Sequence, residues 1–284
     1  MSNQPFDAGR AMLRGADMFE RFAIAGSGVP LGEARLSPRT ELLVLARGAE
    51  RRALLLREMA YHHLAQGELG GEPAMVSFCV ICNTGVGMTP VVDGAVHHFS
   101  AGGLYDGLVL LIDDETGTYW NHITGAAVHG PLEGARLETW GIELQTVAAA
   151  AAADPGLWLW RSHRHPVLAW VMDKGRGIWT ALGRPPPLFP ATMAAVDTRL
   201  GQMTLGLGVL AGEARFYPLG AVGEGVSDDW HGRRLRVELG PGHHVPHAVW
   251  EDDGSRPLQL FSRWYGFVLT YPNCALPLAA DKPS

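Results

Sequence analysis

Residues 74–85 read Ala-Met-Val-Ser-Phe-Cys-Val-Ile-Cys-Asn-Thr-Gly, an apolar run that leads into two cysteines and a turn sequence. The apolar run predicts a strand, and Asn83-Thr84-Gly85 supplies residues that turns favour. Cys79 and Cys82 can therefore converge from one tight turn on a metal ion or on each other. Borderline and soft metals such as zinc, copper(I) and iron accept sulfur ligands. A redox dithiol and two plain buried thiols are the other interpretations of this pair.

Short strand-like runs surround this stretch, with Gly-rich or Asp-rich turns between them. The regular spacing predicts a mainly β (α+β) fold, with an antiparallel sandwich or barrel-like core and short N-terminal and peripheral helices. The predicted strands cover residues 73–78, 85–92, 95–100, 107–113, 118–123, 126–130, 156–161, 167–173, 233–240, 247–252 and 264–272.

Three other segments carry helical or mixed patterns. A helical face is possible from Ala11 to Ile24, and residues 145–153 predict a helix closed by Asp154-Pro155. Residues 41–63 predict a hairpin, with a helix over residues 51–64 as the competing interpretation. The proline-rich stretch at 183–190 is the strongest break. We expect an N-terminal lead-in (1–38), a core Cys-x-x-Cys β domain (39–182), a C-terminal β portion packed on the same core (191–274) and a disordered tail (275–284).

Composition excludes several classes of protein. The chain has 284 residues, of which 47% are hydrophobic and 18% charged, so it can bury a sizeable core. A net charge of −6 argues against nucleic-acid binding and against a polybasic membrane surface. No apolar run approaches the length of a membrane span or of a signal-peptide core, so we expect a cytoplasmic protein with no membrane partner. Nucleotide-binding, α/β-hydrolase and zincin motifs are absent.

The order of four motifs resembles the bacterial family known as domain of unknown function 3179. The residues that carry the resemblance are His62-His63-Leu64 with Leu69-Gly70-Gly71, then 78–85 (FCVICNTG), 113–120 (DDETGTYW) and 125–134 (GAAVHGPLEG). The resemblance extends from about Leu42 to Leu137, about a third of the chain. The resemblance implies a mainly β fold and a metal site, but no particular reaction. The family's Glu after its first His is His63 here, its Arg is Asp114, and a Gln is His122.

The ligand set follows from the two thiols and from this resemblance. Cys79, Cys82 and His62 are the predicted metal ligands, since His62 occupies the family's histidine position upstream of the thiols. Cys274 is either a fourth ligand or a plain buried thiol. Zinc is the first choice of metal, with copper or iron as alternatives.

Three further residues are candidates for proton chemistry near the ion. Asp113 and Tyr119 stand beside each other in a turn that can rim a pocket, although Asp113 also suits a simple hairpin loop. His122 can line an opening to the metal. His97 and His98 point to opposite faces if they lie on a strand, so only one can be buried. The histidines at 163, 165, 243, 244 and 247 are weaker candidates for a second site.

These features predict a metalloenzyme with a mononuclear Cys2His site that acts on a small organic substrate. Five aromatic residues would line an apolar pocket, unless they serve as ordinary core packing: Phe99, Tyr105, Tyr119, Trp120 and Trp264. Two alternatives stay open. The first is a non-catalytic metal-binding or metal-sensing protein with a closed four-ligand site, and the second is a thiol–disulfide oxidoreductase without metal. The oligomeric state is not predicted.

Overall fold

The computed structural model describes residues 5–240 and 245–277, and within them the chain is built mostly of strands. The strands are β1 (Met12–Leu13), β2 (Phe22–Ala23), β3 (Val29–Pro30), β4 (Glu41–Arg47), β5 (Glu50–Leu55), β6 (Leu64–Leu69), β7 (Glu72–Cys79), β8 (Thr84–Thr89), β9 (Val91–Val92), β10 (Ala95–Val96), β11 (Phe99–Tyr105), β12 (Leu108–Asp113), β13 (Tyr119–Asn121), β14 (Ala127–His129), β15 (Glu138–Trp140), β16 (Glu143–Thr146), β17 (Trp158–Trp160), β18 (Leu205–Ala211), β19 (Glu213–Pro218), β20 (Val226–Trp230), β21 (Arg233–Leu239), β22 (Pro246–Trp250) and β23 (Leu258–Arg263).

The helices of the described residues are few and mostly short. They are α1 (Leu56–His62), α2 (Val147–Ala153), α3 (Pro166–Ala181), α4 (Leu219–Val222) and α5 (Trp264–Thr270), with 3-10 turns at Leu31–Glu33 and Pro190–Thr192. None of these helices has both the length and the apolar character needed to cross a bilayer. The mainly β prediction is confirmed.

Three five-stranded sheets form the first two thirds of the chain. Their strand orders are β1-β11-β12-β13-β14, β15-β8-β7-β6-β2 and β16-β4-β5-β17-β3. The C-terminal third adds two three-stranded sheets, β19-β18-β23 and β20-β21-β22. Neighbouring strands are antiparallel except for the pairs β2–β6 and β5–β17, which are parallel.

One core cluster joins these sheets around the two cysteines. Cys79 and Cys82 pack with Trp120 of the first sheet and with Phe216 and Trp264 of the C-terminal third, and all five are almost fully buried. The cysteine turn therefore lies in the main core and not at the surface. The C-terminal third contributes directly to its surroundings.

Three local predictions are wrong. Residues 11–24 hold β1 and β2 instead of a helix, because each short strand pairs with the edge of a sheet, β11 and β6 respectively. Residues 167–173 and 264–272 lie mainly in the helices α3 and α5 instead of strands. Short apolar runs fit a buried helix as well as a strand, and periodicity alone does not separate the two.

Other local predictions hold. The 41–55 segment is a hairpin of β4 and β5, and the competing helix forms only after it, as α1. The helix predicted at 145–153 is α2, capped by the hydroxyl of Thr146. Ala275, in the predicted tail, bridges to Arg215, whereas residues 278–284 lie outside the described residues.

Candidate metal centre

The Cys-x-x-Cys stretch forms the tight connection of a β-hairpin. Strand β7 ends at Cys79, β8 begins at Thr84, and these two residues face each other in the antiparallel register. The chain closes the turn at Asn83, whose φ of 57° is left-handed, a conformation that asparagine tolerates better than most residues. The predicted strand-and-turn arrangement is thus present, and both cysteines are free thiols.

Hydrogen bonds from the turn and from β12 stabilise a negative charge on Cys79. The neighbouring Cys82 thiol and the backbone N–H groups of Cys82, Val109 and Ile81 lower the pKa of Cys79 to about 7, against the opposing effect of burial. Burial raises the pKa of Cys82, and the adjacent Cys79 adds to that effect. The Cys79 thiolate can therefore form near neutral pH without a metal. A bound cation would supply the charge that stabilises the second.

His122 approaches the thiols from the loop after β13. Asn121 holds this loop, because its side-chain oxygen accepts hydrogen bonds from the N–H groups of Ile123 and Thr124 at 2.9 and 3.0 Å. The Ser77 hydroxyl donates to the His122 carbonyl at 2.8 Å and lies 3.4 Å from Nδ1 of the same ring.

The other ring nitrogen of His122 faces the thiols. Nε2 lies 4.0 Å from Sγ of Cys82. Burial lowers the pKa of His122 to about 3, which keeps the ring neutral, and a neutral ring is the form that binds metal.

Cys79, Cys82 and His122 together form a compact ligand group. Their two sulfurs and one ring nitrogen all lie within 4.8 Å of one another, and all three residues are buried. Around a tetrahedral zinc ion, sulfur at about 2.3 Å and nitrogen at about 2.0 Å would lie about 3.5 Å apart. The observed sulfur–nitrogen distance of 4.0 Å needs a contraction of roughly half an ångström to reach that geometry. The donor set and its spacing fit a Cys2His metal site.

The C-terminal third holds the cysteine turn in place. The Arg263 side chain donates from Nε to the carbonyl of Ile81 at 3.0 Å, and its backbone N–H donates to the carbonyl of Cys82 at 2.8 Å. The Thr84 hydroxyl donates to Ser262 at 2.6 Å, and the Asn83 amide donates to the carbonyl of Phe261 at 3.2 Å. Strand β23 therefore fixes the backbone from which both sulfurs project.

The structure does not bring His62 to the thiols. His62 ends α1, and its ring nitrogens lie 2.7 Å from the carbonyl oxygen of Glu20 and 2.9 Å from the Ser162 hydroxyl. In the group of possible ligands, His122 stands where the sequence predicts His62. His62 is the last residue of α1, and its two ring contacts hold it against the Glu20 and Ser162 segments instead of the hairpin.

His63, the next residue, lies at a cavity that Cys79 also lines. Its Nδ1 lies 3.1 Å from the Phe78 carbonyl, which can only accept, so Nδ1 carries the proton and Nε2 keeps a lone pair. Burial lowers the pKa of His63 to about 4. His63 and Cys79 both line a cavity of about 270 Å³ whose other walls are almost entirely apolar. Those walls include Phe19, Leu104, Val109, Trp179 and Phe189.

A larger cavity, of about 590 Å³, lies on the other side of the hairpin. It is lined by Phe78, Asn83 and Gly85 of the hairpin together with Trp140 and residues of the C-terminal third. The three ligand residues do not line it. We therefore associate the metal centre with the smaller cavity, which Cys79 borders directly.

The residues named for proton chemistry lie apart from one another. His122 belongs to the ligand group, whereas Asp113 accepts a 2.7 Å hydrogen bond from the Trp120 indole and two more from Thr116. The Tyr119 hydroxyl donates to the carbonyl of Arg14 at 2.8 Å. Neither Asp113 nor Tyr119 lines the cavity beside Cys79. A catalytic role for these two residues stays a prediction.

The remaining candidates fall mostly into the core. Phe99, Trp120 and Trp264 are fully buried packing residues, and none of the five aromatic residues predicted for the pocket lines the cavity at Cys79. Cys274 is a buried thiol outside the three-ligand group. His97 is buried and His98 exposed, which confirms that only one of them faces inward. His243 and His244 lie outside the described residues.

Three residues have contacts at the candidate site that the sequence does not predict: His122, His63 and Arg263. The sequence predicts His122 as a residue for proton chemistry that lines an opening to the metal, not as a ligand, and it marks His63 only as a departure from the family pattern. A signal was available for His122, since an Asn-His-x-Thr-Gly stretch predicts a side-chain-held turn. Nothing in the sequence pointed from Arg263 to Ile81, because that contact joins segments far apart in the chain.

Comparison with known proteins gives one match. A family model described as a protein of unknown function (DUF3179) matches residues 28–239, which is more than half of the chain. Searches of curated proteins and of solved structures each found no match.

Proposed function

Because this chain belongs to the DUF3179 family, whose description records no activity, its function has to be argued from its own residues, and we propose that it is a mononuclear metalloenzyme acting on a small, largely apolar organic substrate. Cys79, Cys82 and His122 would hold one transition-metal ion, with zinc as the first choice. The observation that carries this proposal is the buried group of three possible ligands, one of which, Cys79, lines an apolar cavity.

The number of ligands favours a catalytic site over a structural one. Structural zinc sites use four protein ligands, whereas catalytic sites use three and keep a position open. Cys274, the remaining cysteine, does not belong to the group. An ion held in this way acts as a Lewis acid toward a bound substrate.

The surrounding residues would orient the ligands and exclude water. Ser77 holds the His122 backbone through its carbonyl, and Arg263 with Ser262 holds the turn that carries both sulfurs. Hydrogen-bonded neighbours of this kind tune a metal site and are costly to remove. The fully buried position of Cys82 and His122 keeps bulk water away, so charges in the site are weakly screened.

His63 is proposed to bind the substrate through a hydrogen bond. Its Nε2 has no hydrogen-bond partner among the described residues, while Nδ1 is held by the Phe78 carbonyl. Burial lowers the pKa of His63 to about 4, so the ring stays neutral and Nε2 can accept a hydrogen bond from a substrate in the cavity that His63 lines. The other walls of the cavity offer few polar groups, so recognition would rest on shape and on the metal.

The size of the cavity limits the substrate. Its volume of about 270 Å³ lies at the lower end of small-molecule sites, which run from about 300 to 1,000 Å³ for drug-sized ligands. The walls carry no fixed charge from Asp, Glu, Lys or Arg. We therefore propose a small uncharged or singly functionalised compound, not a phosphorylated or multiply charged one.

Cobalt(II) substitution tests this proposal on the intact protein. Cobalt bound to thiolates gives charge-transfer bands, and its visible bands report the coordination number. We expect azide and imidazole to change the visible bands, and 4-phenylimidazole to bind more tightly than imidazole because its phenyl ring enters the apolar cavity. Met18→Trp, at the exposed rim of the cavity, should remove that advantage, whereas Val96→Trp, at an exposed position that does not line it, should not.

Two results would replace this proposal with an alternative. A cobalt spectrum that none of these ligands changes would indicate a closed site and a non-catalytic metal-binding protein. Metal-free protein with a reversible Cys79–Cys82 disulfide would indicate a thiol–disulfide oxidoreductase. The burial of both thiols argues against the redox alternative, since reactive redox cysteines are usually accessible.

A further inference from the structure

A second histidine has an unusual environment at the opposite end of the first sheet. His97 follows β10, and only 8% of its surface is exposed. Its Nδ1 is completely buried and makes no hydrogen bond within the described part of the chain. Buried polar groups are normally paired, so an unpaired buried nitrogen calls for a specific explanation.

Two carboxylates face this nitrogen. Asp113 ends β12 and places Oδ1 at 3.4 Å from Nδ1 of His97, while Glu115 in the following turn places Oε2 at 3.7 Å. One ligand atom from each of the three residues lies within 4.8 Å of the other two. The three side chains thus converge on a common point.

Hydrogen bonds from outside this group hold both carboxylates in place. The Trp120 indole donates to Oδ2 of Asp113 at 2.7 Å, and the Thr116 N–H donates to Oδ1 at 2.7 Å. The backbone N–H of His98 donates to Oε2 of Glu115 at 2.9 Å. Oε2 of Glu115 accepts one hydrogen bond and so retains a lone pair for a further partner. Oδ1 of Asp113 also faces the Thr116 hydroxyl at 2.8 Å, and it gains a free lone pair when that hydroxyl donates instead to Oδ2 at 2.9 Å or to the Thr118 hydroxyl at 2.7 Å.

The two distances from Nδ1 of His97 to the carboxylate oxygens suit ligands of a shared metal ion better than hydrogen bonds. Hydrogen bonds from nitrogen to oxygen are usually 2.7–3.2 Å long, and both distances from Nδ1 exceed that range. Nitrogen and oxygen ligands at about 2.0–2.1 Å around a tetrahedral ion would lie about 3.4 Å apart. Two carboxylates and a neutral imidazole also match the charge and the ligand preference of first-row divalent metals.

We propose that His97, Asp113 and Glu115 form a second metal site, which takes a first-row divalent transition-metal ion through nitrogen and oxygen ligands. This site is independent of the Cys2His centre, with which it shares no ligand. The side chain of Glu115 is 34% exposed and provides the route by which an ion enters. A test of this second site therefore does not depend on the proposed enzymatic function.

Manganese(II) is the probe that separates the two sites, because it prefers oxygen and nitrogen ligands to thiolates. The wild-type protein, loaded with one equivalent of zinc, is titrated with manganese and followed by electron paramagnetic resonance. Glu115→Gln and His97→Gln test the site, and Glu115→Gln should fold normally because Glu115 is partly exposed. His231→Ala is the matched control, since His231 is an exposed histidine 3.5 Å from Glu213.

We expect one bound manganese ion per wild-type and His231→Ala chain, and at least a tenfold weaker affinity in both site variants. Zinc at the Cys2His centre should be unaffected by either change. Wild-type protein that binds no manganese and only one zinc would overturn the proposal. So would a Glu115→Gln variant with unchanged affinity, because the ion would then be held elsewhere.

Discussion

Sγ of Cys82 lies 4.0 Å from Nε2 of His122, although the two residues are 40 positions apart in the chain. The contact joins the hairpin of β7 and β8 to the loop after β13 and is buried in the main core. Neither residue makes the site alone. The packing of one sheet against the other creates the ligand group, so changes that alter this packing should alter metal binding.

Gly266 should be intolerant of any side chain. A Cβ atom built there would lie 2.9 Å from Cβ of Cys82 and 3.1 Å from Cδ2 of Leu108. In Gly266→Ala we expect lower thermal stability and weaker zinc binding, because the added methyl group displaces the ligand-bearing turn. Differential scanning calorimetry and a zinc competition assay measure both effects.

Gly220→Ala is the control for Gly266→Ala. Gly220 also lies in a short helix, and a Cβ atom there would meet nothing within 4 Å. Alanine should therefore leave zinc affinity unchanged and stabilise the protein by up to about 1 kcal/mol. Equal behaviour of the two variants would contradict the close packing of α5 on Cys82.

Arg263 should act as a positioning residue for the metal centre. Its guanidinium donates to the carbonyls of Ile81 and Met203, and the side chain is largely buried. Arg263→Met keeps much of the volume but leaves both carbonyls without this donor, which should cost about 1–3 kcal/mol of unfolding free energy. We also expect faster zinc release to a chelator, because the turn becomes less rigid.

Arg256→Met separates this effect from a general loss of charge. Arg256 forms a partly exposed ion pair with Glu143 at 3.1 Å, and such pairs contribute little. Its replacement should change the unfolding free energy by less than about 0.5 kcal/mol and leave zinc release unchanged. An Arg263→Met variant that releases zinc as slowly as the wild type would show that Arg263 does not position the ligands.

Stability should fall in alkali because of Cys274. Burial raises the pKa of this thiol from 9.0 to about 11, so the unfolded chain loses the proton at lower pH than the folded protein does. The contribution of the Cys274 thiol to the free energy of unfolding is fully present below pH 9. It is lost as the pH rises toward 11, by an amount on the order of 2 kcal/mol. Urea unfolding of wild type and Cys274→Ala between pH 8 and 11 measures it.

The Cys274→Ala variant should show a flatter pH dependence across that interval than the wild type. Part of the alkaline loss should remain, since burial also raises the pKa of Tyr271 to about 12. Parallel curves for the two proteins would mean that the Cys274 thiol titrates alike in the folded and unfolded states.

The sequence was most informative where local residues determine the structure. Residues 74–85 contain their own strand, cysteine pair and left-handed Asn83, so the hairpin followed from turn chemistry alone. The identity of the third ligand cannot be predicted in the same way. Among 12 histidines, the choice of His122 depends on how two sheets pack, and no local pattern encodes that contact.

The helices α3 and α5 show the same limit for secondary structure. Both are rich in apolar and aromatic residues that also suit strands, and their state is decided by their neighbours. Gly266, for example, lets α5 approach Cys82 closely, which its local sequence does not indicate. The environment of His62 has a related cause, because its two ring partners, Glu20 and Ser162, lie 42 and 100 positions away in the chain.

The zinc content of two histidine variants tests whether His122, and not His62, is the third ligand. His122→Ala and His62→Ala each remove one buried imidazole, so they match in residue type and burial. We predict that folded His62→Ala keeps the zinc content of the wild type, whereas His122→Ala loses about one zinc per chain relative to it, measured by inductively coupled plasma mass spectrometry with circular dichroism as the check on folding. Zinc that persists in folded His122→Ala and disappears from His62→Ala would contradict the account.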